Sequence, residues 1–258
     1  MKIALIQTDI IWEDATQNRK NFEAKINTIA SDVDLIILPE MFTTVFSMHP
    51  KGIAETMEGN SVSWLKTIAK SRNTAIAGSL AIKENDNFYN RLVFVFPSGE
   101  IQHYDKRHLF SLAGEKEAYT AGTKKVIIDY KGWKICPLIC YDLRFPVFSR
   151  NTENYNILLY VASWPTPRIS AWDTLLKARA IENMCYTIGV NRIGEDGNNY
   201  PYSGHSQVVD FLGNSIIEPS EEATVIIAEL DKQQLLETRK KLDFLSDQDV
   251  FEIKGLKG

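Results

Sequence analysis

Cysteine is scarce in this chain of 258 residues: there are three, at positions 136, 140 and 185. So small and odd a number excludes a disulfide framework and fits a reducing compartment, the cytoplasm. Cys136 and Cys140 are spaced C-x-x-x-C, which is neither a redox C-x-x-C nor a usual zinc spacing, and no histidine stands nearby to complete a metal shell. No metal and no cofactor is expected. An excess of one charge is also missing. The chain has 29 Lys and Arg against 33 Asp and Glu, a formal net charge of −4, with the basic residues scattered. That pattern leaves no electrostatic footprint for a polyanion, so nucleic acid is not an expected partner. Long apolar runs are absent too. The first one ends at Gln7, too short for a signal h-region and far short of the roughly 20 residues of a membrane span, so no membrane partner is expected. Finally, no Pro-, Gly- or Ser-rich linker, low-complexity stretch or short repeat divides the chain, which reads as one domain over residues 1–258.

What is present alternates strand and helix. Residues 2–8 read as a buried strand, 18–30 as a helix with Phe22, Ile26 and Ile29 on one face, and 35–38 as an unbroken aliphatic strand closed by Pro39. A helix over 61–71 leads to a strand over 75–82, and strands 90–96 and 101–105 enclose a Pro-Ser-Gly-Glu turn as a hairpin. Residues 106–122 lose all periodicity, and a loop of that length in a compact domain points to function. A second hairpin, 126–128 with 133–139, ends at Cys140, where a turn leads into a helix. A strand over 156–162 precedes a helix to Met184 whose start, Ser170 to Asp173, has the form of a capping box. A strand over 185–191, a Gly-rich loop over 194–204, short strands to residue 228 and a helix over 230–241 complete the chain. The pattern predicts a layered α/β architecture with helices covering mixed sheets.

Three residues stand at strand ends with chemistry to offer: Glu40 after Ile37-Leu38-Pro39, Lys106 after His103-Tyr104-Asp105, and Cys140 after Pro137-Leu138-Ile139. Taken singly, each has an ordinary explanation as a solvated carboxylate, a surface charge or a buried structural thiol. Taken together, a carboxylate, an ammonium and a thiol meet the needs of a cysteine nucleophile, which requires a base or a neighbouring cation to ionise. His108, His205 and Asn191 leave open a second arrangement of the Cys-His-Asn kind.

At these residues the chain resembles the nitrilase, or carbon-nitrogen hydrolase, superfamily over essentially its whole length. Leu38-Pro39-Glu40 resembles the segment carrying the general base. Tyr104-Asp105-Lys106-Arg107-His108-Leu109-Phe110 is similar to the lysine segment, and Ile139-Cys140-Tyr141-Asp142-Leu143-Arg144-Phe145-Pro146 to the nucleophile segment. The resemblance implies a four-layer α-β-β-α sandwich, a catalytic triad of Glu40, Lys106 and Cys140, a second glutamate at Glu115, and a homodimer as the smallest assembly. Ser163-Trp164-Pro165, Arg168, Ala178-Arg179-Ala180-Ile181-Glu182-Asn183 and Tyr202-Ser203-Gly204-His205-Ser206 are most similar to bacterial omega-amidases. These hydrolyse the terminal amide of 2-oxoglutaramate-like and succinamate-like acids through a cysteine thioester.

A small amide substrate of that kind carries a free carboxylate, for which Arg144 and Arg168 are the candidate partners. Arg144 reads equally well as a partner of Asp142. Trp164 is a candidate pocket wall, and the N–H of Tyr141 a candidate oxyanion donor. The competing readings are an N-carbamoyl amino-acid amidohydrolase with the same triad and a catalytically silent binding protein that keeps the fold. Arg179, Glu182 and Asn183 read as a structural polar network.

Overall fold

The computed structural model describes residues 1–255. In chain order its first half runs β1 (Lys2–Gln7), α1 (Ala15–Ile26), β2 (Leu35–Ile37), the one-turn α2 (Pro50–Ile53), α3 (Asn60–Arg72), β3 (Ala75–Glu84), β4 (Asn87–Val95), β5 (Ile101–Asp105) and the one-turn α4 (Glu115–Ala118). The second half runs β6 (Ile128–Tyr130), β7 (Trp133–Ile139), α5 (Pro146–Ser149), β8 (Ile157–Ala162), α6 (Ile169–Asn183), β9 (Tyr186–Asn191), β10 (Ile193–Glu195), β11 (Pro201–Ser203), β12 (Gln207–Val209), β13 (Ser215–Ile217), β14 (Thr224–Glu229) and α7 (Lys232–Leu242).

Two six-stranded sheets result, ordered β14-β1-β2-β3-β4-β5 and β13-β12-β9-β8-β7-β6. Each has a parallel trio at its centre, β1-β2-β3 in one and β7-β8-β9 in the other, flanked by antiparallel strands. Strand alternation assigns the faces. Ile3, Leu5, Leu35, Ile37, Leu92 and Phe94 belong to the core that the first sheet shares with the second. Ala4, Ile6, Ile36, Val93 and Val95 point the other way and pack against Phe22 and Ile26 of α1 and Val62, Leu65 and Ile68 of α3. On the far side, Gly189 of β9 lets Trp172 and Leu176 of α6 approach so closely that a Cβ there would lie 2.6 and 2.5 Å from them. The layers are therefore helix, sheet, sheet, helix, as the sequence resemblance implied.

Several boundaries move for local reasons. Helix α1 starts at Ala15 because Asp14 caps it, its Oδ1 accepting from Gln17 N at 2.9 Å. Asn18 lies inside the helix, where its buried amide ties Ile11 and Thr43 to it. Ser170 to Asp173 is not a cap: a Pro165-led turn over Thr166–Arg168 runs straight into α6, which begins at Ile169. Asp173 instead accepts from Gln207 Nε2 at 2.7 Å and faces His205 Nδ1 at 2.9 Å. The loop expected over 106–122 contains a 3-10 turn over Ser111–Ala113 and α4. The Gly-rich loop over 194–204 is the β10–β11 hairpin. After Cys140 comes a 3-10 turn to Arg144, then the single turn α5. Among the described residues no helix is long and apolar enough to cross a membrane, and no group of three or more metal-ligating side chains is found.

Candidate active site

The strand ends converge at one place. Glu40 follows β2, Lys106 follows β5 and Glu115 opens α4, and all three side chains are buried to within 1%. Lys106 Nζ lies 3.0 Å from Glu40 Oε1 and 3.0 Å from each oxygen of Glu115. Glu40 Oε1 also accepts from Asn90 Nδ2 at 2.7 Å, and its Oε2 from the backbone N–H of Ser163 at 2.8 Å. Glu115 Oε2 accepts from Phe110 N at 2.6 Å, which ties the carboxylate to the loop above it. Burial alone would lower the Lys106 pKa, but Glu115 and Glu40 outweigh it and hold the ammonium above its ordinary range. Glu115 is raised, chiefly by burial and further by the charge of Glu40, against the opposing pull of Lys106.

Cys140 directly follows β7 with a φ of +44°, a left-handed backbone that is uncommon for a residue with a side chain and that marks a sharp, held turn. Asp142 holds it. Its Oδ2 accepts from Ile139 N at 3.0 Å and from Tyr104 Oη at 2.8 Å, and its Oδ1 from His108 N at 2.9 Å. The His108 ring, stacked 3.8 Å from Phe145, faces the same oxygen at 2.7 Å. With Asp142 so occupied, the alternative that pairs it with Arg144 is overturned.

The thiol of Cys140 opens on a cavity of about 370 Å³ that Lys106 and Ser163 also line. Desolvation and the carboxylate of Glu40 push the thiol pKa well up, while Lys106 and the Ser163 N–H act downward and lose. The resting group is thus a thiol beside a carboxylate that can take its proton, not a ready-made thiolate. Neither His108 nor His205 stands in for that carboxylate, since both are absent from the cavity lining. Asn191, the third member of the Cys-His-Asn alternative, grips the backbone of Trp164 instead, with bonds of 2.8 and 2.9 Å.

A match to the carbon-nitrogen hydrolase family model spans residues 2–240. The chain belongs to the carbon-nitrogen hydrolase family. Among the relatives of this carbon-nitrogen hydrolase is omega-amidase YafV of Escherichia coli K12, 42% identical over 254 residues and covering 98% of both chains. A 2-oxoglutaramate amidase of Bacillus subtilis is 35% identical over 250 residues, covering 95% of this chain and 96% of that one. A solved structure from Xanthomonas campestris, XC1258, described as a CN-hydrolase superfamily protein with an arsenic adduct in its active site, superposes with a TM-score of 0.96 at 41% identity over 98% of each chain.

The walls of the hydrolase's cavity are aromatic and cationic. Arg144 lies over the Trp164 ring at 4.8 Å, and Arg168 over Phe110 at 5.4 Å. Both line the cavity with Tyr141, and among the described residues the arginine salt bridges are made by Arg19, Arg91, Arg179 and Arg192 instead. Two cations with no carboxylate partner on a cavity wall suit an anionic guest. The β10–β11 hairpin forms another wall through Asn198, Tyr200 and Tyr202. It is fastened by buried Arg192, which donates to Asp9 Oδ1 at 2.9 Å and to Glu195 O at 2.8 Å. Arg179 pairs with Glu182 at 2.9 Å and donates to Leu143 O, and Asn183 holds Asn151, so these three brace α6 as expected.

Two contributors escape sequence reasoning. Asn90 is legible only as a strand residue, one of three polar residues in β4 with Asn87 and Arg91. The N–H of Ser163 carries no side-chain signature at all.

Proposed function

We propose that this hydrolase is an omega-amidase that removes the terminal amide of small dicarboxylic acid monoamides, of the 2-oxoglutaramate and succinamate type. The observation that carries this reading is a buried Lys106–Glu40 pair whose lysine lines, with Cys140, a cavity also lined by Arg144 and Arg168, neither of which pairs with a carboxylate among the described residues. The relatives named for omega-amidase and 2-oxoglutaramate amidase support it.

Glu40 takes the thiol proton as Cys140 Sγ attacks the amide carbonyl. The tetrahedral oxyanion is held by the Lys106 ammonium and the backbone N–H of Tyr141, donors worth about 3 to 4 kcal/mol each in sites of this kind. Glu40 returns its proton to the leaving nitrogen, ammonia departs, and a thioester remains on Cys140. A water deprotonated by Glu40 then attacks the thioester, and the free acid leaves with the thiol restored. Glu115 keeps Lys106 charged and in place. Arg144 and Arg168 receive the carboxylate at the far end of the substrate, and Trp164 closes the pocket beside it.

The smallest assembly we propose is a homodimer, in line with the exposed apolar side chains of Val147, Ile181 and Leu212 at 57, 53 and 50%. The three unpaired cysteines fit a cytoplasmic setting.

The test is ammonia release from 2-oxoglutaramate, succinamate, glutamine, asparagine, N-carbamoyl amino acids and nitriles, run beside Cys140→Ala. Turnover of the first two above the rest is expected. Carbon dioxide released with ammonia from carbamoyl amino acids would instead assign the N-carbamoyl reaction. Substantial turnover by the alanine variant would end the mechanism, and a wild-type protein inert on the whole panel with an unreactive Cys140 would mark a binding protein.

A further inference from the structure

We propose that Asn90 is a positioning residue for the base: its amide fixes the Glu40 carboxylate against the thiol and separates it from Glu115. This rests on the reading of Glu40 as general base.

The geometry sets the problem that Asn90 solves. Two buried carboxyl groups share one ammonium, and buried carboxyl oxygens call for hydrogen-bond donors. The ammonium of Lys106 has three N–H groups, and its three contacts at 3.0 Å are all to Glu40 and Glu115. In the resting site its N–H groups are engaged with those three oxygens. Asn90, fully buried on β4, adds a neutral donor to that set, at 2.7 Å to Glu40 Oε1 and at 3.4 Å to Glu115 Oε1. The amide orientation is dictated by its surroundings, since the opposite flip would set a carbonyl oxygen against a carboxylate oxygen. The unequal distances assign the bond chiefly to Glu40.

The backbone of the same residue does related work. Asn90 O accepts from Lys106 N at 2.9 Å, so one residue of β4 holds both the start of the lysine segment and the carboxylate the lysine faces. Asn90, like Glu40, is not among the residues lining the cavity. Its influence passes through Glu40. With Asn90 and Lys106 on Oε1 and Ser163 N on Oε2, the carboxylate plane is fixed by donors on both oxygens, leaving one lone-pair direction for the thiol proton.

Asn90→Asp changes one donor atom and adds a like charge beside Glu40. The titratable groups around that position are Glu40 from the end of β2, Lys106 from β5, Glu115 from α4, Cys140 from β7 and Tyr119, whose hydroxyl bonds Ser47 O at 2.8 Å. Of these only Lys106 is cationic at neutral pH, and its donors are already occupied, so the new charge raises the pKa of the carboxylate pair. The acidic limb of the kcat/KM profile should move up by roughly 1 to 3 pH units. Asn90→Ser, a shorter neutral side chain, weakens a donor without adding a charge, so it should move that limb less than Asn90→Asp does and lower kcat, with misplacement of the base costing up to the order of 100-fold. KM should stay within about threefold for both variants, since neither touches the cavity wall.

The experiment is a pH profile of kcat and kcat/KM with succinamate for the wild type and both variants, beside Glu40→Gln and with folding checked by thermal melting. A shifted limb in Asn90→Asp and a lowered kcat in Asn90→Ser support the proposal. An unmoved limb, or a raised KM with kcat intact, overturns it, and a single folded variant suffices to decide between the two. Should Glu40→Gln keep wild-type turnover, it is the reading of Glu40 as base that fails; an inactive Glu40→Gln with normal Asn90 variants rejects this inference alone.

Discussion

Lys106 Nζ touches both oxygens of Glu115 at 3.0 Å, with neither side chain more than 1% exposed. A buried ion pair of this kind contributes little net stability as a pair, but removing one partner strands the other. Glu115→Ala should therefore cost about 3 to 5 kcal/mol, while Glu115→Gln, which keeps an acceptor for Lys106 and for Phe110 N, should cost less. Chemical denaturation of the two variants measures the difference. Equal stability would show that the contact does not govern the cluster.

Arg144 and Arg168 make a separable prediction about recognition. If they receive a substrate carboxylate, Arg144→Met and Arg168→Met should each raise KM for succinamate by roughly 10- to 100-fold, the worth of a charge-assisted hydrogen bond. KM for an uncharged amide of similar size should change little. Steady-state kinetics with the two substrates reads this directly, and equal effects on both would remove the arginines from the recognition of charge.

The +44° φ of Cys140 predicts a trade between stability and chemistry. Cys140→Gly should lose turnover by roughly 1,000-fold or more, as expected for a missing nucleophile. It should nevertheless be more stable than Cys140→Ala by about 1 kcal/mol, because glycine enters the left-handed region without strain. Comparing unfolding midpoints of the two inactive proteins isolates the backbone contribution.

Thiol titration gives a pH signature. Burial pushes Cys136 and Cys185 up to about 12, whereas in the unfolded chain they ionise near about 8.5. Below that value the two states bind the same protons and the contribution to stability is whole. As pH rises from there towards 12 the unfolded chain releases its protons first, so stability falls. Melting temperature should drop between pH 8 and pH 10.5. Over pH 7 to 9, iodoacetamide should label Cys140 at a rate rising with pH, and leave Cys136 and Cys185 unlabelled until the protein unfolds. Saturated labelling of Cys140 at pH 7 would contradict the raised thiol.

The layered fold was legible because its signals are local: aliphatic runs such as 35–38, the helical spacing of Val62, Leu65 and Ile68, and the hairpin turn at 97–100. The strand-end positions of Glu40, Lys106 and Cys140 could be read in the same way. Their meeting could not be read from periodicity, since 66 residues separate Glu40 from Lys106, and it was expected only through family resemblance. What escaped depends on tertiary partners. The donor at Ser163 is backbone, and Asn90 differs from a buried structural amide only by what stands across from it. The misplaced start of α6 has the same origin. Ser170 and Asp173 have capping chemistry, but a 3-10 turn had already begun the helix, and Asp173 found His205 and Gln207.

The bond from Ser163 N to Glu40 Oε2 spans 123 residues and joins the end of β8 to the end of β2. Glu40 and Lys106 are thus carried by one slab of the molecule, and Cys140 and Ser163 by the other. Neither half, expressed alone, would own a working centre. Sliding one slab past its counterpart by an ångström would part sulfur from carboxylate before any helix melted. Turnover should consequently fade ahead of the circular dichroism signal on heating, which makes catalysis a finer gauge of how the slabs are seated than secondary structure is.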